Sequence, residues 1–162
     1  MPPDRLERRD GETRTVQPPG WEPEILAFCC SYCASAAAAE AGAVRLRYPA
    51  GTRILSTPCT GAIEMEHLLE AFEKGADGVL VIGCPEGGCH FVEGNRRALR
   101  RLERVRELLD EIGLGGGRLR RAQLSDSMAS AFAGQMREIT ETVRAMGPNP
   151  LKPARKESAG RS

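Results

Sequence analysis

The sequence predicts an α/β fold: a single domain of about four parallel strands alternating with helices, flanked by flexible tails. Three observations carry this. Short apolar runs bounded by glycine or proline alternate four times with stretches of helical periodicity. The clearest run, GVLVIG at Gly78–Gly83, is aliphatic throughout, as a strand covered on both faces requires. The length of 162 residues suits one domain and can bury a core without disulfides.

Each element has its own signal. The first 23 residues are polar, contain Pro2, Pro3, Pro18, Pro19 and Pro23, and offer few large apolar side chains, so they read as a mobile arm. The domain then runs over residues 24–150. Ile25–Cys30 (ILAFCC) is a continuous apolar run and the first strand. Alanine-rich Ala34–Ala41 favours a helix, with Gly42 placed to end it. Arg53–Thr57 is a weaker strand between Gly51 and Pro58. Ile63–Lys74 carries Met65, Leu68, Leu69 and Phe72 at helical spacing, and Gly75 stops it. Gly78–Gly83 is the third strand. Val92–Ile112 then places Leu99, Leu102, Val105, Leu109 and Ile112 on one face, with Gly113 as the cap.

Leu119–Leu124 is a polar strand that belongs at an edge. Ser125 or Asp126 is placed to cap a last helix whose stripe is Ala129, Phe132, Met136, Ile139, Val143 and Met146. Gly147-Pro148 ends it. Residues 151–162 form a basic tail. Four strand-then-helix repeats imply a parallel sheet with right-handed crossovers.

Composition excludes several classes. Lys+Arg 23 against Asp+Glu 22 gives a net charge of +1, which makes no electrostatic case for nucleic acid or an anionic membrane as partner. An aromatic content of 4% is too low for a single-strand stacking platform. The longest apolar run, Ile25–Cys30, is far short of the ~20 residues that span a bilayer. The first residues show no apolar h-region, so the expected location is cytoplasmic. No GxGxxG follows a strand and no GxxxxGK[ST] is present, so nucleotide binding has no support. No Ser/His/Asp or paired-carboxylate arrangement stands out.

The cysteines are what remains unusual. Cys29, Cys30 and Cys33 close the first strand, Cys59 follows the second, and Cys84 and Cys89 follow the third. In a parallel sheet these positions share one edge, the carboxyl ends of the strands, with neighbouring strands only ~4.8 Å apart. That edge is where open α/β sheets bind ligands. In a reducing compartment such thiols are more often metal-binding or redox-active than disulfide-paired.

Three chemistries fit. An iron–sulfur cluster wants four thiolates and glycine-rich loops whose amides reach the sulfurs, and Gly61, Gly83, Gly87 and Gly88 lie in these loops. This is the favoured reading. A structural zinc site and a thioredoxin-like dithiol at Cys30 and Cys33 are the alternatives. Zinc more often stabilises modules too small for a core, and a dithiol enzyme needs two cysteines where this edge has six. Cys29, inside the apolar run, reads as a packing residue. His90 fits a supporting hydrogen-bond role beside Cys89 better than a ligand role, and His67 belongs on a solvated face.

FCCSYC, PCTGA, KGADGVLVIGC, the CxxxxCH loop followed by EGN, and the closing GPNP together resemble the delta subunit of methyl-viologen-reducing hydrogenase. The resemblance runs from about Glu24 to Pro150. It implies a 2Fe–2S cluster on four of Cys30, Cys33, Cys59, Cys84 and Cys89. It also implies electron transfer between a hydrogenase or other oxidoreductase and the flavin-containing subunit of a heterodisulfide-reductase-type complex, with no turnover by the chain alone. Two positions depart from the family pattern: Pro85–Gly88 replace a more polar loop, and Ala62 stands where arginine is usual.

Overall fold

The computed structural model describes residues 17–152. Four strands, β1 (Ile25–Cys30), β2 (Thr52–Thr57), β3 (Gly78–Gly83) and β4 (Leu119–Gln123), pair in parallel in the order β2-β1-β3-β4. Four helices connect or follow them: α1 (Ala34–Ala43), α2 (Met65–Glu73), α3 (Gly94–Glu111) and α4 (Ala129–Met146). The expected fold class is the observed one. The polar strand is at one edge, as its composition requires, and exposed β2 is at the other.

Alternation along the two central strands divides the core. Ile25, Ala27 and Cys29 of β1, with Leu80 and Ile82 of β3, face α1 and α4, where they meet Ala37, Ala41, Phe132, Met136 and Ile139. Phe28, Val79 and Val81 face the other way, onto Leu68 and Phe72 of α2 and Leu102, Val105 and Leu109 of α3. The helix periodicities produced these faces. Alanines on α1 let it pack close to α4.

Several boundaries differ from the sequence expectation. Gly42 does not end α1, which continues to Ala43; the residue in the left-handed region is Arg45 (φ 55°), whose N–H bonds the Gly42 carbonyl. Neither Ser125 nor Asp126 caps α4. Met128 occupies that position without a side-chain cap, because its sulfur accepts from the Ser125 N–H instead. Ile112 lies beyond the last turn of α3 and is exposed, while Leu99 and Met146 are half-buried rather than core. Gly75 and Gly113, at φ 105° and 80°, do end α2 and α3.

At the amino ends of the strands a polar clasp closes the domain. Asp77, fully buried, accepts from the Glu24 N–H at 2.9 Å and the Asn149 N–H at 2.8 Å, and pairs with Lys152 at 3.0 Å. Asn149 donates its side-chain amide to the carbonyls of Phe72 (2.8 Å) and Ala76 (2.7 Å), and Arg118 donates to the Asp77 carbonyl. This explains the GPNP segment: its asparagine satisfies backbone groups that no helix or strand reaches.

Of the stretch read as an arm, residues 17–23 lie against the domain, with Glu22 paired to Arg144 and Trp21 against the α1/α4 core. Residues 1–16 and 153–162 lie outside the described residues. No helix among the described residues is long and apolar enough to cross a membrane.

Asn149→Ala removes the side-chain bonds to the Phe72 and Ala76 carbonyls and the acceptor of the Leu151 N–H, while its backbone N–H to Asp77 remains. It is expected to cost about 2–4 kcal/mol, read as a lower urea midpoint with an unchanged slope.

Candidate metal centre

β1 and β3 are neighbours, so the residues at their carboxyl ends meet. Cys30 ends β1 and Cys84 directly follows β3, and their sulfurs are 3.7 Å apart. Cys33 enters from the turn that starts α1. The sulfurs of Cys30, Cys33 and Cys84 all lie within 4.8 Å of one another, and all three residues are buried. This spacing suits ligands of one metal centre.

Cys59 and Cys89 form a second group beside the trio, at the amino end of α3. Cys59 follows β2 and precedes a single helical turn, Thr60–Ala62, whose Gly61 N–H donates to its sulfur at 3.4 Å. Cys89 closes the loop after β3. Both sulfurs press on Gly94, where a side chain would overlap the Cys59 sulfur and stand 3.3 Å from that of Cys89. Burial raises the Cys59 thiol, the Gly61 N–H opposes it, and Cys89 and, last, Cys30 add upward pushes. All five expected ligands thus come to one edge. Cys29 points instead into the α1/α4 core, where burial, aided by Cys30, pushes its thiol up to about 12.

The two groups differ electrostatically. Burial raises the Cys33 thiol, and its contacts with Cys84 and Cys30 raise it further. Burial likewise raises Cys84. A nucleophilic thiol is favoured by the opposite shift, so burial works against thiol exchange at Cys33. Burial also acts upward on Cys89, but the N–H groups of Asn95, Phe91 and Gly94 and the Cys59 contact outweigh it. The net shift is downward. N–H groups aimed at sulfur favour the charged form, which is the form that binds metal.

The fit to an iron–sulfur group rests on these donors. Five thiols, a largely buried pocket, and backbone N–H groups at Cys59 and Cys89 match what such a cluster requires. An aromatic stack flanks the cysteine loops in sequence. The rings of Tyr32 and His90, each beside a cysteine, are parallel with centroids 3.9 Å apart, and Phe91 meets both edge-on. A cleft of about 600 Å³, walled by Pro58, Ala62, Phe91 and Val92, opens beside Cys59.

The five cysteines singled out in the sequence lie along this edge, and the residues that support them there had not been singled out. Asn95 is buried and donates to the carbonyls of Cys84 (3.3 Å) and Pro85 (3.0 Å). Arg101 donates to the carbonyls of Gly61 (2.7 Å) and Ile63 (3.1 Å), pinning the Cys59 turn to α3. The EGN motif was the available signal for Gly94 and Asn95. Arg101 had none, being one of many arginines on α3. His67 is exposed, as expected, and also accepts from the Glu64 N–H at 3.0 Å to cap α2.

Comparison with known proteins agrees with this architecture. The chain is 43% identical over 131 residues to the vhu iron-sulfur subunit of the F420-non-reducing hydrogenase of Methanocaldococcus jannaschii, covering 81% of this chain and 98% of that protein. It is 42% identical to the iron-sulfur subunit of the F420-non-reducing hydrogenase of Archaeoglobus profundus, covering 79% and 93%. A third relative belongs to the ferredoxin/F(420)H(2)-dependent CoB-CoM heterodisulfide reductase of Methanosarcina acetivorans. It is 38% identical over 126 residues, which are 78% of this chain and 16% of that longer protein. Residues 25–147, from the first residue of β1 to the cap of α4, match one family along their whole length, and the chain belongs to it: the methyl-viologen-reducing hydrogenase delta subunit family.

Proposed function

We propose that the chain is an electron-transfer subunit holding one 2Fe–2S cluster on four of Cys30, Cys33, Cys59, Cys84 and Cys89. It passes electrons between a hydrogenase or other oxidoreductase and the flavin-containing subunit of a heterodisulfide-reductase-type complex in the cytoplasm. The observation that carries this reading is the convergence of five thiols from three strand ends on one edge. The names of the relatives, iron-sulfur subunits of hydrogenases and one chain of a heterodisulfide reductase, point the same way. A 2Fe–2S cluster takes up and releases one electron at a time.

The chain's own residues have three tasks. The cysteines supply thiolates. The N–H groups of Gly61, Gly94 and Asn95 offset negative charge on the sulfurs, which is how a protein raises the electron affinity of such a centre. The pocket walls limit water. No acid–base constellation stands among the described residues of the site, so the reading assigns turnover to the partners. The domain that carries this function is proposed to be residues 24–150.

The partner reading has its own support. Tyr32, Phe91 and Val92 are 52, 52 and 80% exposed beside the cysteines, a concentration of apolar surface where an electron would leave. A relay needs its neighbour within tunnelling reach, so this edge is proposed to lie at an interface.

Anaerobically purified protein is expected to contain about two irons and two acid-labile sulfides per chain. Zinc without sulfide refutes the cluster. The thioredoxin-like reading makes only Cys30 and Cys33 matter, so redox activity surviving both Cys59→Ser and Cys84→Ser favours it over ours. For the interface, hydrogen exchange over residues 29–33 and 84–90 is expected to slow in the complex with the co-purified oxidoreductase partner. Equal exchange with and without that partner excludes the relay role.

A further inference from the structure

The trio takes Cys30 and Cys33 from the end of β1 and Cys84 from the end of β3. The pair takes Cys59 from the end of β2 and Cys89 from the loop after β3, and something must fix the gap between the β2 and β3 segments. Two consecutive residues on the first turn of α3 are placed to do so. Gly94 is in backbone contact with the Cys59 turn: a side chain at Gly61 would fall 2.6 Å from the Gly94 Cα, and one at Gly94 would overlap the Cys59 sulfur. No side chain separates the two segments. Asn95 acts on the other one. Both hydrogens of its buried side-chain amide are used, on the carbonyls of Cys84 and Pro85.

The helix behind these residues is anchored at several points. α3 has 18 residues, seats Leu102, Val105 and Leu109 against the sheet, and is tied again to the Cys59 turn by Arg101. Gly94 therefore holds the segment from β2, and Asn95 the segment from β3, at one fixed separation.

We propose that Gly94 and Asn95 are positioning residues that set the distance between the Cys59/Cys89 pair and the Cys30/Cys33/Cys84 trio, and through it the electron affinity of the site. The effect on electron affinity rests on the cluster reading above; the effect on sulfur spacing does not. Moving the first turn of α3 withdraws the Gly94 and Asn95 N–H groups from the Cys89 sulfur, so the reduced, more negative state loses stabilisation.

Two experiments test this. In the loaded protein, Gly94→Ala and Asn95→Ala are each expected to move the midpoint potential to more negative values and to speed iron release to a chelator at least tenfold, with an unchanged far-UV circular dichroism spectrum. Unchanged potential and release in both variants overturn the proposal, whatever their stability. The second experiment needs no cluster. In wild-type chain stripped of metal, limited oxidation by oxidised glutathione, mapped by peptide mass spectrometry, is expected to join Cys59 chiefly to Cys89. Gly94→Ala is expected to lower that product at least tenfold. Cys59 joining Cys30 or Cys84 as often as Cys89 in the wild-type chain overturns the spacing claim. That result leaves the iron and sulfide analysis intact, so the two readings fail separately.

Discussion

The hydrogen-bonded pairing of β1 with β3 is the constraint on which the rest of the molecule depends. After β2 the chain doubles back past β1, so strands distant in sequence become neighbours and their carboxyl ends open into one crevice. The reversal puts α1 and α2 on opposite faces of the sheet, which is why the core divides into two clusters. It also leaves the strand-end loops free to turn toward each other. Cys30 and Cys84 touch because their strands do, with no contribution from loop flexibility.

Burial and hydrogen bonding act in opposite directions across the few ångströms of this crevice. Around Cys33 and Cys84 desolvation dominates, and the thiols resist ionisation. Around Cys89 the amino end of a long helix dominates, and ionisation is favoured. Thiols lose their protons when they bind metal, so affinity for metal rises with pH, and the opposite shifts at Cys33 and Cys89 make that proton loss uneven. The same unevenness gives any bound group an asymmetric surrounding field.

Much of this was readable in the residues. GVLVIG announced a central strand because a strand covered on both faces has no use for polar side chains, and four alternations of strand and helix left few topologies to consider. The cysteine edge followed from parallel pairing alone. The strand order did not, since no residue states which neighbour β1 takes on each side. The division into trio and pair depends on that order and on backbone contact at Gly61 and Gly94, which leaves no mark beyond two glycines among 18. Arg45 in the left-handed region was unreadable for the opposite reason: glycine three residues earlier was the better local candidate, and helix packing against the sheet overrode it. Tyr32 and His90 stack across loops 58 residues apart, a pairing that only the folded edge creates.

The polar clasp has a consequence for how this domain is attached to other proteins. Gln17 bonds the Arg144 carbonyl near the end of α4, and Lys152 bonds Glu24 and Asp77 at the strand starts. Both ends of the described chain therefore leave from the side of the sheet opposite the cysteines. Polypeptide can be spliced on at either end without crossing the cysteine edge, and the domain can be carried as a cassette whose working face stays open.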